Sequence, residues 1–328
     1  MRFGGKGSDG RFAGAVRTFE AAVRAGSQEV PAAFDALLAA FRDAPDAVLR
    51  DCGPRLAALL PRLGQGPDST VAVMVATCVE RGAEPAACAA PVLERARQGF
   101  ETAGTLAERW IADGRGALPG PDGEGLRNAD YDTYGYGPIV AWRALPSFEA
   151  ATLTLLRHAA VRRALGADRD AHLAAVAGFG GRFRRLAHAF AVLDDEPVLA
   201  VHRPTGARFA LRASGLGDNF QLHTLLAHAL IGGGHLPGRA PSRTAVACCR
   251  DRDGAAPFTE AFTFSGADGA RVRNRDRLAD VPLRDGARLL VLDDVPRPRT
   301  WQARRLLPGI TGDLVLEGVL ERVLPPEG

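Results

Sequence analysis

The stretch Pro197-Val198-Leu199-Ala200-Val201-His202-Arg203-Pro204-Thr205-Gly206-Ala207-Arg208-Phe209-Ala210-Leu211-Arg212-Ala213 divides this 328-residue chain into two kinds of sequence. Short β-type runs, 197–202 and 207–213, flank Arg203-Pro204-Thr205-Gly206. Proline presets φ and glycine tolerates positive φ, so those four residues predict a hairpin turn.

Upstream the period is helical. From about Phe12 to Asp113, Ala-, Leu- and Val-rich segments of roughly 12–18 residues end in short breakers. The breakers are Ala25-Gly26-Ser27, Asp43-Ala44-Pro45-Asp46, Gly64-Gln65-Gly66-Pro67-Asp68 and Gly82-Ala83-Glu84-Pro85. In the last, Gly82 suits a left-handed helix end and Pro85 the first turn of the next helix. Thr70–Phe100 therefore reads as an antiparallel helical hairpin. Hairpins in series fit a short HEAT-like solenoid or a plain bundle; no strict repeat is present. Between Gly114 and Pro138 the composition turns to Gly, Pro, Asp and Asn, which predicts a long loop or linker. Ser147–Val192 is helical again, as two helices broken near Gly166-Ala167-Asp168.

Downstream of the hairpin a helix is expected from about Asn219 to Ile231. Strands are expected at Thr244–Cys249, Pro257–Phe264, Ala287–Leu292 and Asp313–Val319. The expected fold class is α+β: an all-helical N-terminal region, then an α+β region with a mainly antiparallel sheet. The expected divisions are a flexible tail (1–11), a helical domain (12–113), a Gly/Pro/Tyr-rich linker loop (114–140) and an α+β domain (141–328).

Composition is that of a globular protein, 46% hydrophobic and 24% charged. The single lysine, Lys6, stands among 41 Lys+Arg residues, an imbalance that matches a GC-rich genome. It nearly closes the classes that need a positioned ammonium: Schiff-base chemistry, P-loop phosphate binding and the protein-kinase ATP pair. Net charge is +3, too small to argue for nucleic acid. Residues 1–113 carry thirteen basic and fourteen acidic side chains, so the positive excess lies in the remainder. The five cysteines (Cys52, Cys78, Cys88, Cys248, Cys249) include no C-x-x-C pair, and their odd number fits a reducing cytoplasm. No run approaches the roughly 18 apolar residues of a membrane span. No cofactor is expected.

Familiar motifs appear without their physics. Gly5-Lys6-Gly7-Ser8-Asp9-Gly10 has the letters of a dinucleotide fingerprint, but only four residues precede it where a strand is needed. Arg288-Leu289-Leu290-Val291-Leu292-Asp293-Asp294 resembles a Walker B strand without its phosphate loop. It leaves Asp293 and Asp294 as a carboxylate pair at a strand end. Neither a G-x-S-x-G elbow nor H-E-x-x-H occurs, and Cys248-Cys249 in a strand would face opposite sides.

Asp218-Asn219-Phe220-Gln221-Leu222-His223-Thr224-Leu225-Leu226-Ala227-His228 opens with capping-box spacing, Asp218 to Gln221. Leu222, Leu225, Leu226, Ala229 and Leu230 form its apolar face. His223 and His228 stand about 140° apart on a helix and cannot share one metal ion, so no metal is expected. All three tyrosines, Tyr131, Tyr134 and Tyr136, fall in the predicted loop, where such rings make recognition surfaces. Arginines cluster at Arg182/Arg184/Arg185, at 271–277 and around Trp301. If 271–277 is a strand, its four arginines share one face.

The leading expectation is a cytoplasmic interaction or regulatory protein that binds a protein partner or a small anionic ligand. Tyr131, Tyr134, Tyr136, Arg299 and Arg304 are its candidate contacts. The alternative is an enzyme, a hydrolase or tailoring enzyme. His223 or His228 would be its general acid/base, Asp293 or Asp294 would orient the histidine, and Arg299 or Arg304 would hold an anionic substrate. Nucleic-acid binding through the arginine clusters is a weaker third reading, and no membrane association is expected.

Overall fold

The computed structural model describes residues 6–123 and 125–320, with side chains from Gly10 onward. By its internal packing the chain forms two compact units that meet at Leu186/Ala187. This moves the expected boundary. The helices between residues 136 and 177 belong with the N-terminal helices, and the α+β unit begins only near residue 187.

The first unit is helical: α1 (Lys6–Ala25), α2 (Val30–Phe41), α3 (Asp46–Ala57), α4 (Pro67–Glu80), α5 (Pro85–Ala112), α6 (Asn128–Tyr134), α7 (Tyr136–Leu155), α8 (Ala159–Ala164) and α9 (Asp168–Ala177). The unit boundary falls within α10 (Arg184–Ala191). The α4–α5 hairpin forms as its sequence predicts. Gly82 has φ +101°, Pro85 occupies the first turn of α5, and the Glu84 carboxylate accepts from Ala86 N at 3.3 Å. Other expectations are corrected. Residues 6–11, read as tail, begin α1, while 1–5 lie outside the described residues. The linker loop contains α6 and the start of α7, and 147–192 holds parts of four helices rather than two.

The second unit contains β1 (Glu196–His202), β2 (Ala207–Ser214), α11 (Asn219–Ala227), α12 (Arg243–Arg250), β3 (Ala256–Thr259), β4 (Thr263–Ser265), β5 (Leu283–Arg284), β6 (Ala287–Asp293), β7 (Thr300–Ala303) and β8 (Asp313–Leu320). The β1–β2 hairpin pairs antiparallel from Glu196↔Ala213 to His202↔Ala207, around the turn named by the sequence. The main sheet runs β4-β6-β1-β2-β8, with β5 also on β6; β3 and β7 form a second, two-stranded sheet. Among the described residues only β1 and β6 pair in parallel, so the sheet is mainly antiparallel and the fold is α+β.

Strand alternation decides what the sheet buries. Val198, Ala200, Phe209, Leu211, Leu290, Leu292 and Leu314 share a core with Leu222, Leu225 and Leu226 of α11 and Ala245 and Cys249 of α12. The run 244–249, expected as a strand, is therefore α12, capped by Ser242 Oγ, which accepts from Ala245 N at 3.1 Å. Burial pushes the Cys249 thiol up to about 12, as befits a packing residue. Residues 271–277 are not a strand; only Arg271 makes a bridge, to Ser265. Among the described residues, no helix is long and apolar enough to cross a membrane.

Candidate functional site

In the second unit a cleft of about 560 Å³ opens beside the β4 edge of the main sheet. Three chain segments build it. Glu260 follows β3, Thr263, Phe264 and Ser265 are β4, and 293–299 carries the chain from the end of β6 toward β7. Arg271 joins them because the chain turns back against β4, where Val272 N donates to Phe264 O at 3.0 Å. Beside it, Glu260 N donates to Arg299 O at 2.9 Å and prolongs the β3–β7 ladder by one residue.

The charges in the cleft are unevenly matched. Glu260, 5% exposed, binds Arg299 through two side-chain bonds of 2.8 and 3.0 Å. Burial raises the Glu260 pKa and Arg299 lowers it; the net is below the ordinary carboxylate value. Asp293 is held by Arg203 at 3.2 Å. Asp294 is mostly exposed, 4.0 Å from His202 Nε2. Arg271 and Arg297 are exposed and make no ion pair or side-chain hydrogen bond with the described residues. The unpaired charges are thus two guanidinium groups against one carboxylate.

His223 lies behind this wall rather than in the cleft. It is 1% exposed and stacks on Phe264, with ring centroids 3.6 Å apart and planes 9° from parallel. Trp301 meets it edge-on at 5.5 Å. Burial drives its pKa down to about 3; Glu260 and Asn274 work the other way, and Arg299 reinforces the shift. His223 is therefore neutral at physiological pH. Its helix starts as expected, with Asp218 Oδ1 accepting from Gln221 N at 3.0 Å. The Gln221 side chain, however, accepts from Gly217 N and donates to Cys249 O at 2.6 Å instead of closing a capping box.

The residues of the enzymatic alternative do not meet as that alternative requires. His228 is half-buried at the start of a π-helical turn after α11, with Arg250 and Asp313 as its charged neighbours. Asp313 is on β8 and Asp293 on β6, with β1 and β2 between them in the sheet. The histidine near Asp294 is His202, whose Nδ1 lies 2.8 Å from Thr205 Oγ1 and whose pKa burial lowers. Among the described residues no group of three or more His, Cys, Asp or Glu side chains could hold a metal ion.

The proposed contacts also separate. Arg299 lines the cleft but is held by Glu260, and Arg304 is exposed just past β7. The tyrosines lie in the helical unit. Tyr134 is 2% exposed; its hydroxyl donates to Asp113 Oδ2 at 2.8 Å and its ring packs on Trp110. Tyr131 and Tyr136 have ring centroids 6.0 Å apart, and Tyr136 is 69% exposed. Sequence reasoning missed Glu260, Ser265, Asn274 and His202. An acid inside a predicted strand, as Glu260 was in 257–264, is the signal that could have found the first.

Comparison with protein-family models, curated proteins and solved structures finds no match to this chain. What the cleft can do follows from its own side chains.

Proposed function

We propose that the chain is a cytoplasmic interaction or regulatory protein whose second unit takes a small anionic ligand in the cleft beside β4. The observation that supports this reading is the state of the three cleft arginines. Glu260 neutralises Arg299, whereas Arg271 and Arg297 line a concave surface with no carboxylate of their own. A guanidinium presents a fixed fork of donors that matches carboxylate and phosphate oxygens. The acidic side chain of a protein partner would offer the same chemistry. Succinate and inorganic phosphate, titrated by ligand-observed NMR into the wild type and the Arg271→Ala and Arg297→Ala variants, test it. Binding that weakens at least about tenfold in either variant supports the reading. Equal binding to all three proteins, or none to the wild type, overturns it.

A further inference from the structure

Ser265, in the wall of the cleft, belongs to a set of buried polar atoms without partners. Ser265 Oγ, both ring nitrogens of His223, Asn274 Nδ2, Asn219 Oδ1 and Trp301 Nε1 are shielded from solvent and form no hydrogen bond. Asn274 stands close enough to His223 to favour a proton on it, yet no hydrogen bond of good geometry joins them. Folded proteins leave few such groups, because each forfeits its hydration for nothing.

The cleft and this set have Ser265 in common. Phe264 and Ser265 line the cleft, and His223 stacks on Phe264. Trp301 touches His223 and stands two residues from Arg299. The segment that brings Arg271 to the rim brings Asn274 to the interior. Its main chain is anchored to the start of α11, where Phe220 N donates to Asn274 O at 3.1 Å and Asn219 Nδ2 to Arg273 O at 3.0 Å.

The inventory defines a complement. Asn274 Nδ2 can only donate and asks for a carbonyl or hydroxyl oxygen; Ser265 and His223 can each donate or accept. A second ligand charge does not suit this depth. The buried acid there, Glu260, is already paired with Arg299, and an unpaired buried charge is costly. We infer that the anion held by Arg271 and Arg297 also carries an uncharged donor–acceptor group, an amide or a hydroxyl, that pairs with Ser265 Oγ and Asn274 Nδ2. This rests on the anion reading of the same cleft and adds the class of molecule.

Three small acids test it on the full chain by ligand-observed NMR. Succinamate carries one carboxylate and one carboxamide, 4-methylpentanoate is its apolar isostere, and succinate carries two charges. Succinamate should bind at least about tenfold tighter than 4-methylpentanoate. Ser265→Ala and Asn274→Ala should shrink that ratio to about twofold or less without weakening 4-methylpentanoate. The comparison in the wild type stands even if a variant fails to fold. Equal binding of succinamate and 4-methylpentanoate, both lost in Arg271→Ala, overturns this inference and leaves the anion reading intact. Absence of binding by all three acids overturns both.

Discussion

Acidification provides a direct measure of how His223 is held. Its imidazole is 1% exposed, has no hydrogen-bond partner and is pressed between Phe264 and Trp301, so a proton on it has nowhere to be solvated. The folded protein refuses that proton until about pH 3, while the unfolded chain accepts it near 6.5. Between these values the unfolded state binds more protons, so stability is complete above about 6.5 and falls as pH drops through the window. At pH 5, about 1.5 units below the unfolded value, the loss from this residue is about 2 kcal/mol. His158, His172, His202 and His228 also have lowered pKa values, with burial the main cause, and add losses of the same sign. The His223 share is therefore a difference. Urea unfolding at pH 7 and pH 5 should cost the wild type about 2 kcal/mol more than it costs His223→Leu. In parallel, the His223 ring resonance should not titrate between pH 7.5 and 5. An equal pH dependence in both proteins, or a ring that titrates near 6.5, would falsify the burial argument.

Three other substitutions probe separate parts of the chain. Gly215 has φ +69°, and a Cβ there would stand 1.8 Å from Thr311 O, so Gly215→Ala should destabilise the second unit by at least about 3 kcal/mol; a melting temperature close to wild type would contradict this. Tyr134→Phe removes a partly buried hydrogen bond to Asp113 and should cost about 1 kcal/mol, whereas Tyr136→Phe, at an exposed ring, should be neutral in the same urea titration. Glu260→Gln releases Arg299 from its ion pair and adds one unpaired positive charge to the cleft. Succinate affinity should then rise roughly three- to tenfold, about 0.7–1.4 kcal/mol, and an unchanged or lower affinity would count against anion binding there.

How much could be read beforehand depended on whether a segment's period was its own. The β1–β2 hairpin was legible because alternation on both sides of Arg203–Gly206 fits only one arrangement, and β6 because its short apolar run ends in a pair of aspartates. Thr244–Cys249 was not, because an apolar run of six residues suits a short buried helix as well as a strand. The deciding signal was Ser242, a helix cap two residues ahead of the run. The Tyr-rich segment misled in the opposite direction. Gly135 and Pro138 look like loop residues, yet Gly135 takes φ +89° to separate α6 from α7, and Pro138 sits in the first turn of α7, where no backbone donor is missed. Tyr134 is consequently a core residue with a satisfied hydroxyl, while Tyr136, two positions on, faces solvent.

The cleft was the least legible part, and the cause is topological. Glu260, Ser265, Arg271 and Arg297 span 38 positions and come together only because β4 pairs with β6 and Arg271 folds back on Ser265. No local spacing encodes that convergence. What sequence could supply was the chemical raw material: the positive excess lies beyond residue 113, and two of the arginine clusters each give one unpaired guanidinium to the cleft. Arg299, one of the two arginines singled out in advance, is the cleft arginine that folding neutralises. Which arginines stay available to a ligand is decided by which carboxylates the strands bring to them, and here Glu260 makes that selection.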